Sequence, residues 1–123
     1  MKWKIITYQK ENGEKPVEDF LENLPCKHKA KAVWEIDLLA EYGTGLKEPY
    51  VKSIKGDEYK GIWELRIKFA SDISRIFYFV PVGDTFVLLH GFVKKTDKIP
   101  KREIEIAKQY MEDYKRRFEN NGQ

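Results

Sequence analysis

Six basic side chains lie on three successive apolar stretches of the sequence and could together bind an anion. They are Arg66, Lys68, Arg75, His90, Lys94 and Lys95. Acidic residues are common before position 65 but scarce from Arg66 to Lys101, so these cations are not balanced by neighbours in the sequence. A row of cations on one sheet face is suited to a polyanion, and RNA is the polyanion that we expect.

The arginines are suited to cleaving a phosphodiester as well as binding it, because a planar guanidinium matches two phosphate oxygens at once. When the 2′-hydroxyl of RNA attacks the adjacent phosphorus, charge builds on the non-bridging oxygens. A fixed guanidinium stabilises that charge by on the order of 3 kcal/mol. His90 is a candidate for proton transfer, and so are Lys94 and Lys95, which are crowded by other cations.

The same residues also allow less specific interpretations. A basic sheet face is often a simple binding surface or a solvated one, so catalysis and binding both stay open here. His90 could be an ordinary strand residue, and Tyr78 falls among core positions, where packing is the better interpretation. His28 lies in the polar run Lys27-His28-Lys29, which predicts solvent exposure.

Composition indicates one globular domain in a reducing compartment. Of 123 residues, 41% are hydrophobic and 35% charged, with a net charge of +3, so disorder is not indicated. Cys26 is the single cysteine, which excludes an intrachain disulfide. The start MKWKIITYQK lacks a signal-peptide run, and no window resembles a membrane span, so we expect a cytoplasmic protein. No metal-binding motif or phosphate-binding glycine loop occurs, so no metal or organic cofactor is expected.

The elements that must position these side chains follow from the hydrophobic periodicity. The predicted elements are a strand over 3–8, a helix from 16 that ends before 25, a helix over about 26–42, strands at about 62–69, 73–80 and 85–94, and a helix after 100. The long helix has a predicted core stripe of Val33, Ile36, Leu39 and Ala40. Residues 45–61 show no period and are predicted to be a loop. The predicted fold class is α+β: a strand, two helices, a three-stranded antiparallel meander and a C-terminal helix in one domain over 1-118, with a frayed tail over 119-123.

Hairpin lengths decide which side chains share a face. A first hairpin centred on Ser71-Asp72 places Lys68 opposite Arg75, whether its loop has two or four residues. The second hairpin places Arg75 opposite Phe92 or His90, depending on whether its loop has two residues or four. A bulge would break this register.

On that register the two faces of the meander differ in character. The face expected under the two early helices holds Trp63, Leu65, Ile67, Phe69, Ile76, Tyr78, Val80, Val87, Leu89 and Val93. The other face holds Glu64, Arg66, Lys68, Arg75, His90 and Lys94, mixed with Phe77, Phe79, Phe86, Leu88 and Phe92. The aromatic side chains of this second face need cover, from the last helix or from a partner protein.

The chain resembles the RelE/ParE superfamily of toxins from type II toxin–antitoxin systems, in its phage-derived, HigB-like branch. The resemblance rests on WELRIKF, DISRIFYF and LLHGFVKKTDKIPKREIEIA, with KPVEDFLENLP upstream, and covers residues from Lys2 to about Tyr114. It implies a RelE-like fold and a metal-independent endoribonuclease that cleaves mRNA on the ribosome and so inhibits translation. It also implies a cognate antitoxin, typically a helix-turn-helix protein of the HigA-like kind.

The resemblance assigns roles to residues. The transition-state arginine of the family matches Arg75, its basic residue on the preceding strand matches Arg66, and Glu64 stands where some members carry lysine. The basic pair that closes the last strand matches Lys94 and Lys95. We therefore expect catalysis by Arg66, Arg75, His90, Lys94 and Lys95, and RNA binding by Lys68, Thr96, Lys98 and Lys101.

Two rival functions share this fold. A ParE-like inhibitor of gyrase would bind its target without cutting RNA, and a non-catalytic module would only bind nucleic acid or a partner protein. Fold alone does not separate these functions, because function depends on the site.

Overall fold

The protein forms a five-stranded sheet with helices on both faces. The structure is a computed structural model that describes residues 3–81, 83–94 and 98–119, with Lys94 and Glu119 described by their backbone only. Its elements are β1 (Lys4–Thr7), α1 (Pro16–Glu22), α2 (Cys26–Tyr42), β2 (Val51–Ser53), β3 (Trp63–Phe69), β4 (Asp72–Phe79), β5 (Thr85–Lys94) and α3 (Lys101–Tyr114), followed by a π-helical turn over Lys115–Glu119. The predicted α+β class is confirmed. The predicted tail beyond Glu119 lies outside the described residues.

The sheet has the order β1-β5-β4-β3-β2. β1 is parallel to β5, and all other neighbours are antiparallel. The predicted meander is therefore the centre of a wider sheet. The loop predicted over 45–61 was partly wrong, because it contains β2, a strand of three residues that pairs with β3. A strand this short carries too little alternation to be recognised in the sequence.

Helices cover both faces of the sheet. α1 and α2 pack on one face, whose buried residues include Leu65, Ile67, Ile76, Tyr78, Phe86 and Leu88. α3 packs on the other face, whose buried residues include Phe77, Phe79, Val87, Leu89, Ala107 and Met111. Gly91 of β5 lets α1 approach closely, since a Cβ there would lie 2.5 Å from the Phe20 ring. Of the aromatic side chains that needed cover, Phe77, Phe79 and Phe92 lie on the α3 side, whereas Phe86 lies under α1 and α2.

The predicted faces of β5 were wrong for four residues. Val87 and Leu89 lie on the α3 face, whereas Phe86 and Leu88 lie under α1 and α2. The cause is a register irregularity between Phe77/Tyr78 and β5, where Phe77 pairs with His90 but Tyr78 pairs with Leu88. One extra residue on a strand exchanges the two faces beyond it. Two edge positions of the expected core face are also partly exposed, Trp63 at 40% and Val93 at 42%.

The first hairpin turns one residue earlier than predicted, at Ala70-Ser71, because Phe69 pairs with Asp72. Arg66 therefore lies opposite Arg75, and the predicted pairing of Lys68 with Arg75 was wrong, since Lys68 lies opposite Ile73. Ala70 adopts a positive φ of 56°, which is uncommon for a residue with a side chain. The sequence offers no glycine or asparagine there to indicate the turn.

The predicted core stripe of α2 was partly wrong. Leu39 is buried and Ile36 packs against the core, as predicted, but Val33 is 42% exposed. The other buried residues of α2 are His28, Ala32 and Glu35. Because two of these are polar, the hydrophobic pattern alone did not show the full set of core-facing positions.

His28 was predicted to be exposed but is buried. Its Nε2 lies 2.7 Å from the Ser74 Oγ, and its ring stacks on Phe69 at 5.3 Å. A buried imidazole is tolerated when it has such a hydrogen-bond partner, so the hydroxyl of Ser74 explains why a polar residue occupies this core position.

Glu35 is buried on the core side of α2, and only one of its two carboxylate oxygens has a polar partner. Its Oε2 lies 3.6 Å from the Lys31 Nζ, while its Oε1 has no hydrogen-bond partner. Burial raises the pKa of the Glu35 carboxyl to about 7, and the nearby charge of Lys31 opposes this shift. A raised pKa means that the folded state holds the proton more tightly than the unfolded chain does.

We therefore expect stability to fall as pH rises from about 5 to about 8. The contribution of Glu35 to the free energy of unfolding is complete at pH values below the pKa of its carboxyl in the unfolded chain. That contribution is lost as pH rises through the folded-state pKa of about 7. Glu35→Gln should remove about 2–3 kcal/mol of this dependence, measured as urea unfolding at several pH values. Asp37→Asn, at an exposed position of the same helix, is the matched control. A Glu35→Gln variant with the pH profile of the wild type would contradict the assignment.

Candidate nucleic-acid interface

An open groove of about 830 Å³ lies between the β2–β4 part of the sheet and the segment that leads into α3. Its charged lining residues are Lys52, Lys55, Glu64, Arg66, Arg75 and Lys98. Five of the six are cations, so the groove has the electrostatic character of an anion-binding site. It opens on the α3 side of the sheet, away from α1 and α2.

Strand register brings these side chains together. Lys52 pairs with Glu64 across β2 and β3, and Arg66 pairs with Arg75 across β3 and β4. Since alternate residues of a strand point to the same face, Glu64 and Arg66 share the groove face with their cross-strand neighbours. The backbone N–H of Arg66 also donates to the Tyr50 carbonyl at 2.8 Å, which fixes the edge of the groove to β3.

Glu64 is the central group of the groove, because it compensates both arginines. The Arg75 guanidinium donates from Nη1 to the Glu64 Oε1, and both residues are only 2% exposed. The Arg66 Nε lies 3.4 Å from the same oxygen, and the Arg66 side chain is 30% exposed. Arg66 and Arg75 would repel each other as direct cross-strand partners, and the carboxylate between them offsets this repulsion.

Burial raises the pKa of the Glu64 carboxyl above its ordinary value, and the charges of Arg75, Arg66 and Lys52 oppose that shift. A buried carboxylate is tolerated only when it is paired and hydrogen-bonded. The result is a fixed arrangement, with one guanidinium buried and held, and a second one beside it facing the groove. The exposed part of Arg66 can bind two oxygens of one phosphate, and the buried charge of Arg75 lies beside it.

The structure brings together some of the predicted site residues. Arg66 and Arg75 lie side by side, and Lys98 lines the same groove. Lys68 lies two residue pairs further along the sheet, where Ile73 separates it from Lys94 of β5. Lys101 is exposed at the start of α3 and is not part of the groove lining. Lys95 and Thr96 lie outside the described residues.

His90 lies against α3 and does not line the groove. Its Nε2 is 2.6 Å from the Glu103 Oε1, and its ring packs near Phe77 and Tyr110. Tyr78 is buried in the core under α1 and α2, so the interpretation of this residue as packing is confirmed. Burial raises the pKa of the Tyr78 hydroxyl, as expected for a phenol without a role in proton transfer.

Sequence reasoning missed two kinds of site residue. Lys52 and Lys55 lie in the stretch that showed no period, and only the pairing of β2 with β3 places Lys52 beside Glu64. The sequence analysis gave Glu64 no role beyond standing where some related proteins carry lysine, whereas it is the partner of both arginines. A carboxylate that lies two residues before a cation on one strand, as Glu64 does before Arg66, is a signal that could have revealed this role.

Replacing the buried carboxylate should be costly. Glu64→Gln leaves the Arg75 charge buried without its counterion, so we expect a loss of roughly 3–5 kcal/mol in the free energy of unfolding. Glu22→Gln removes the carboxylate of an exposed pair with Lys29 at 2.7 Å and should cost less than about 1 kcal/mol. Urea unfolding compares the two variants. Similar small losses in both would show that the buried pair does not stabilise this part of the sheet.

Comparison with known proteins adds one match. The family described as phage derived protein Gp49-like (DUF891) matches residues 19–112, a range that includes α2, the groove strands and most of α3. No curated protein matches the chain. No helix within the described residues is both long and apolar enough to cross a bilayer. On this match, which covers more than half of the sequence, the chain belongs to the phage-derived Gp49-like family, a member of the RelE/ParE-like toxin superfamily.

Proposed function

We propose that this protein is the toxin of a type II toxin–antitoxin system, of the HigB-like kind, and that it cleaves mRNA on the ribosome. The observation that carries the proposal is the pair Arg66 and Arg75, held by Glu64 in a groove lined by further cations. Membership of the Gp49-like family supports a toxin. The groove chemistry favours RNA as the ligand, because its cations outnumber its carboxylates five to one.

In the proposed reaction the 2′-hydroxyl attacks the adjacent phosphorus, the bond to the 5′-oxygen breaks, and a cyclic 2′,3′-phosphate forms. Negative charge develops on the non-bridging oxygens during this step. Arg66, which faces the groove, and Arg75, which is fixed by Glu64, stabilise that charge. Arg66 can contact these oxygens directly, whereas Arg75, which is only 2% exposed, acts on them through its charge. Lys52, Lys55 and Lys98 bind the flanking phosphates.

The reaction also needs a proton removed from the 2′-hydroxyl and a proton given to the 5′-oxygen. We assign these transfers to Lys94, the last residue of β5, and to Lys95, which follows it in the sequence. His90 is the weaker candidate, because its Nε2 is engaged by Glu103 on the α3 side. Glu64 acts as a positioning residue for the guanidinium groups. No metal or organic cofactor takes part in this scheme.

An antitoxin is the expected protein partner, and the proposed toxin acts in the cytoplasm, where its ribosomal target lies. We propose a helix-turn-helix antitoxin of the HigA-like kind. The gene beside this one is the place to find it, as such pairs are encoded together.

Arg66→Ala should weaken RNA binding and abolish growth arrest on expression, because it removes the groove-facing guanidinium. We expect about a tenfold to hundredfold loss of affinity for a short single-stranded RNA. The slope of log affinity against log salt should fall by about 0.7 for each phosphate that no longer has a cation beside it. Filter binding at several salt concentrations, with growth assays of the same variants, measures both effects.

Lys4→Ala is the matched control, because Lys4 is an exposed lysine on the strand at the opposite edge of the sheet. It should leave affinity and growth arrest unchanged. Primer extension on cellular mRNA then separates the functions that share this fold. Cuts that disappear in Arg66→Ala support the proposal. DNA breaks without RNA cuts would replace it with gyrase inhibition, and full growth arrest by Arg66→Ala would remove the assignment of this groove.

A further inference from the structure

An apolar stripe runs along α2, and four of its five residues are exposed. Every fourth residue from one end of the helix to the other belongs to it: Cys26, Ala30, Trp34, Leu38 and Tyr42. Trp34 is 50% and Tyr42 58% exposed, and Leu38 is half-buried. A free cysteine counts here as a small apolar residue. Leu38 also packs against the core beneath α2, and the Lys31 Nζ lies 5.5 Å from the centre of the Trp34 ring. The other residues of the stripe contribute little to the core of their own chain.

The stripe is symmetric about Trp34. When a second copy of α2 runs in the opposite direction with Trp34 at the centre, Cys26 stands level with Tyr42, and Ala30 stands level with Leu38. Each small residue of one copy then stands level with a large residue of the other copy. Helix faces pack best when large side chains of one fill the spaces beside small ones of the other.

The charges on the outer face have the same symmetry. Lys27 and Lys31 lie in the first half of the helix, while Asp37 and Glu41 lie in the second half. Antiparallel alignment sets Lys27 level with Glu41 and Lys31 level with Asp37. Parallel alignment would bring like charges together instead. Lys31 is already 3.6 Å from Glu35, whereas the other three residues make no ion pair with any described part of the chain.

We propose that α2 is a homodimerisation surface, on which a second copy of this chain packs its own α2 antiparallel about a two-fold axis at Trp34. The opposed helix dipoles favour the same direction. A 17-residue helix is about 25 Å long, so one helix from each copy gives an interface at the small end of specific interfaces. We therefore expect a weak dimer, whose population depends on the protein concentration. α2 and the basic groove lie on opposite sides of the sheet, so the dimer leaves both grooves open and does not depend on the proposed function.

Charge exchange tests the proposal. In sedimentation experiments over a wide concentration series, the wild type should show a reversible monomer–dimer equilibrium. Lys27→Glu or Glu41→Lys alone turns both attractive contacts of the dimer into repulsive ones and should weaken it on the order of tenfold. The double variant Lys27→Glu/Glu41→Lys restores the complementarity and should dimerise like the wild type. Glu58→Lys, an exposed carboxylate away from α2, is the control for net charge.

Cross-linking gives a second measurement. In a Cys26→Ser background, Lys27→Cys/Glu41→Cys should form a disulfide-linked dimer on mild oxidation, since the two positions stand level across the axis. Lys27→Cys alone should not, because the two copies of position 27 lie about 21 Å apart along the helix direction. A wild type that stays monomeric throughout the series overturns the proposal, even if an antitoxin covers the stripe. Failure of the double charge variant to restore dimerisation, or equal cross-linking by Lys27→Cys alone, also overturns it.

Discussion

The ion pair between Glu64 and Arg75 is the constraint on which the groove depends. Both groups are almost fully buried, so each tolerates its environment only because the other is present. The register of β3 and β4 sets Arg66 directly beside Arg75, and the same carboxylate offsets their repulsion. One acidic side chain thereby allows two guanidinium groups to lie closer together than a cationic sheet face alone would permit.

The two sides of the sheet carry different tasks. On the α3 side, aromatic residues pack beneath the last helix, and the neighbouring open end of the same face forms the groove. On the opposite side, α1 and α2 close the second core and turn the outer face of α2 to solvent. Because the sheet separates them, nucleic-acid binding in the groove and self-association through α2 can be changed independently by substitution.

The sequence predicted much of this fold, and its errors have identifiable causes. The bounds of α2 and β5 follow from hydrophobic periodicity, and the start of α3 follows from Pro100. The β3–β4 hairpin turns one residue earlier than predicted, but Arg66 and Arg75 stay on the same face of the sheet and therefore lie close together. The bulge beside Leu89 left no sequence signal, so the faces of β5 were exchanged. The burial of His28, Glu35 and Glu64 was not predicted, because the groups that compensate these polar side chains lie on other strands or on the next helical turn. Such partners become visible only when the tertiary structure brings them together.

The central claim is that Arg66 binds a phosphate beside the buried charge of Arg75. The most direct measurement follows the guanidinium N–H resonances of a ¹⁵N-arginine-labelled protein while a short 2′-O-methyl RNA, which cannot be cleaved, is added. We expect the Arg66 and Arg75 signals to shift together and to saturate at the same RNA concentration. Shifts confined to arginines outside the groove, such as Arg102 or Arg116, with Arg66 and Arg75 unchanged, would contradict the account.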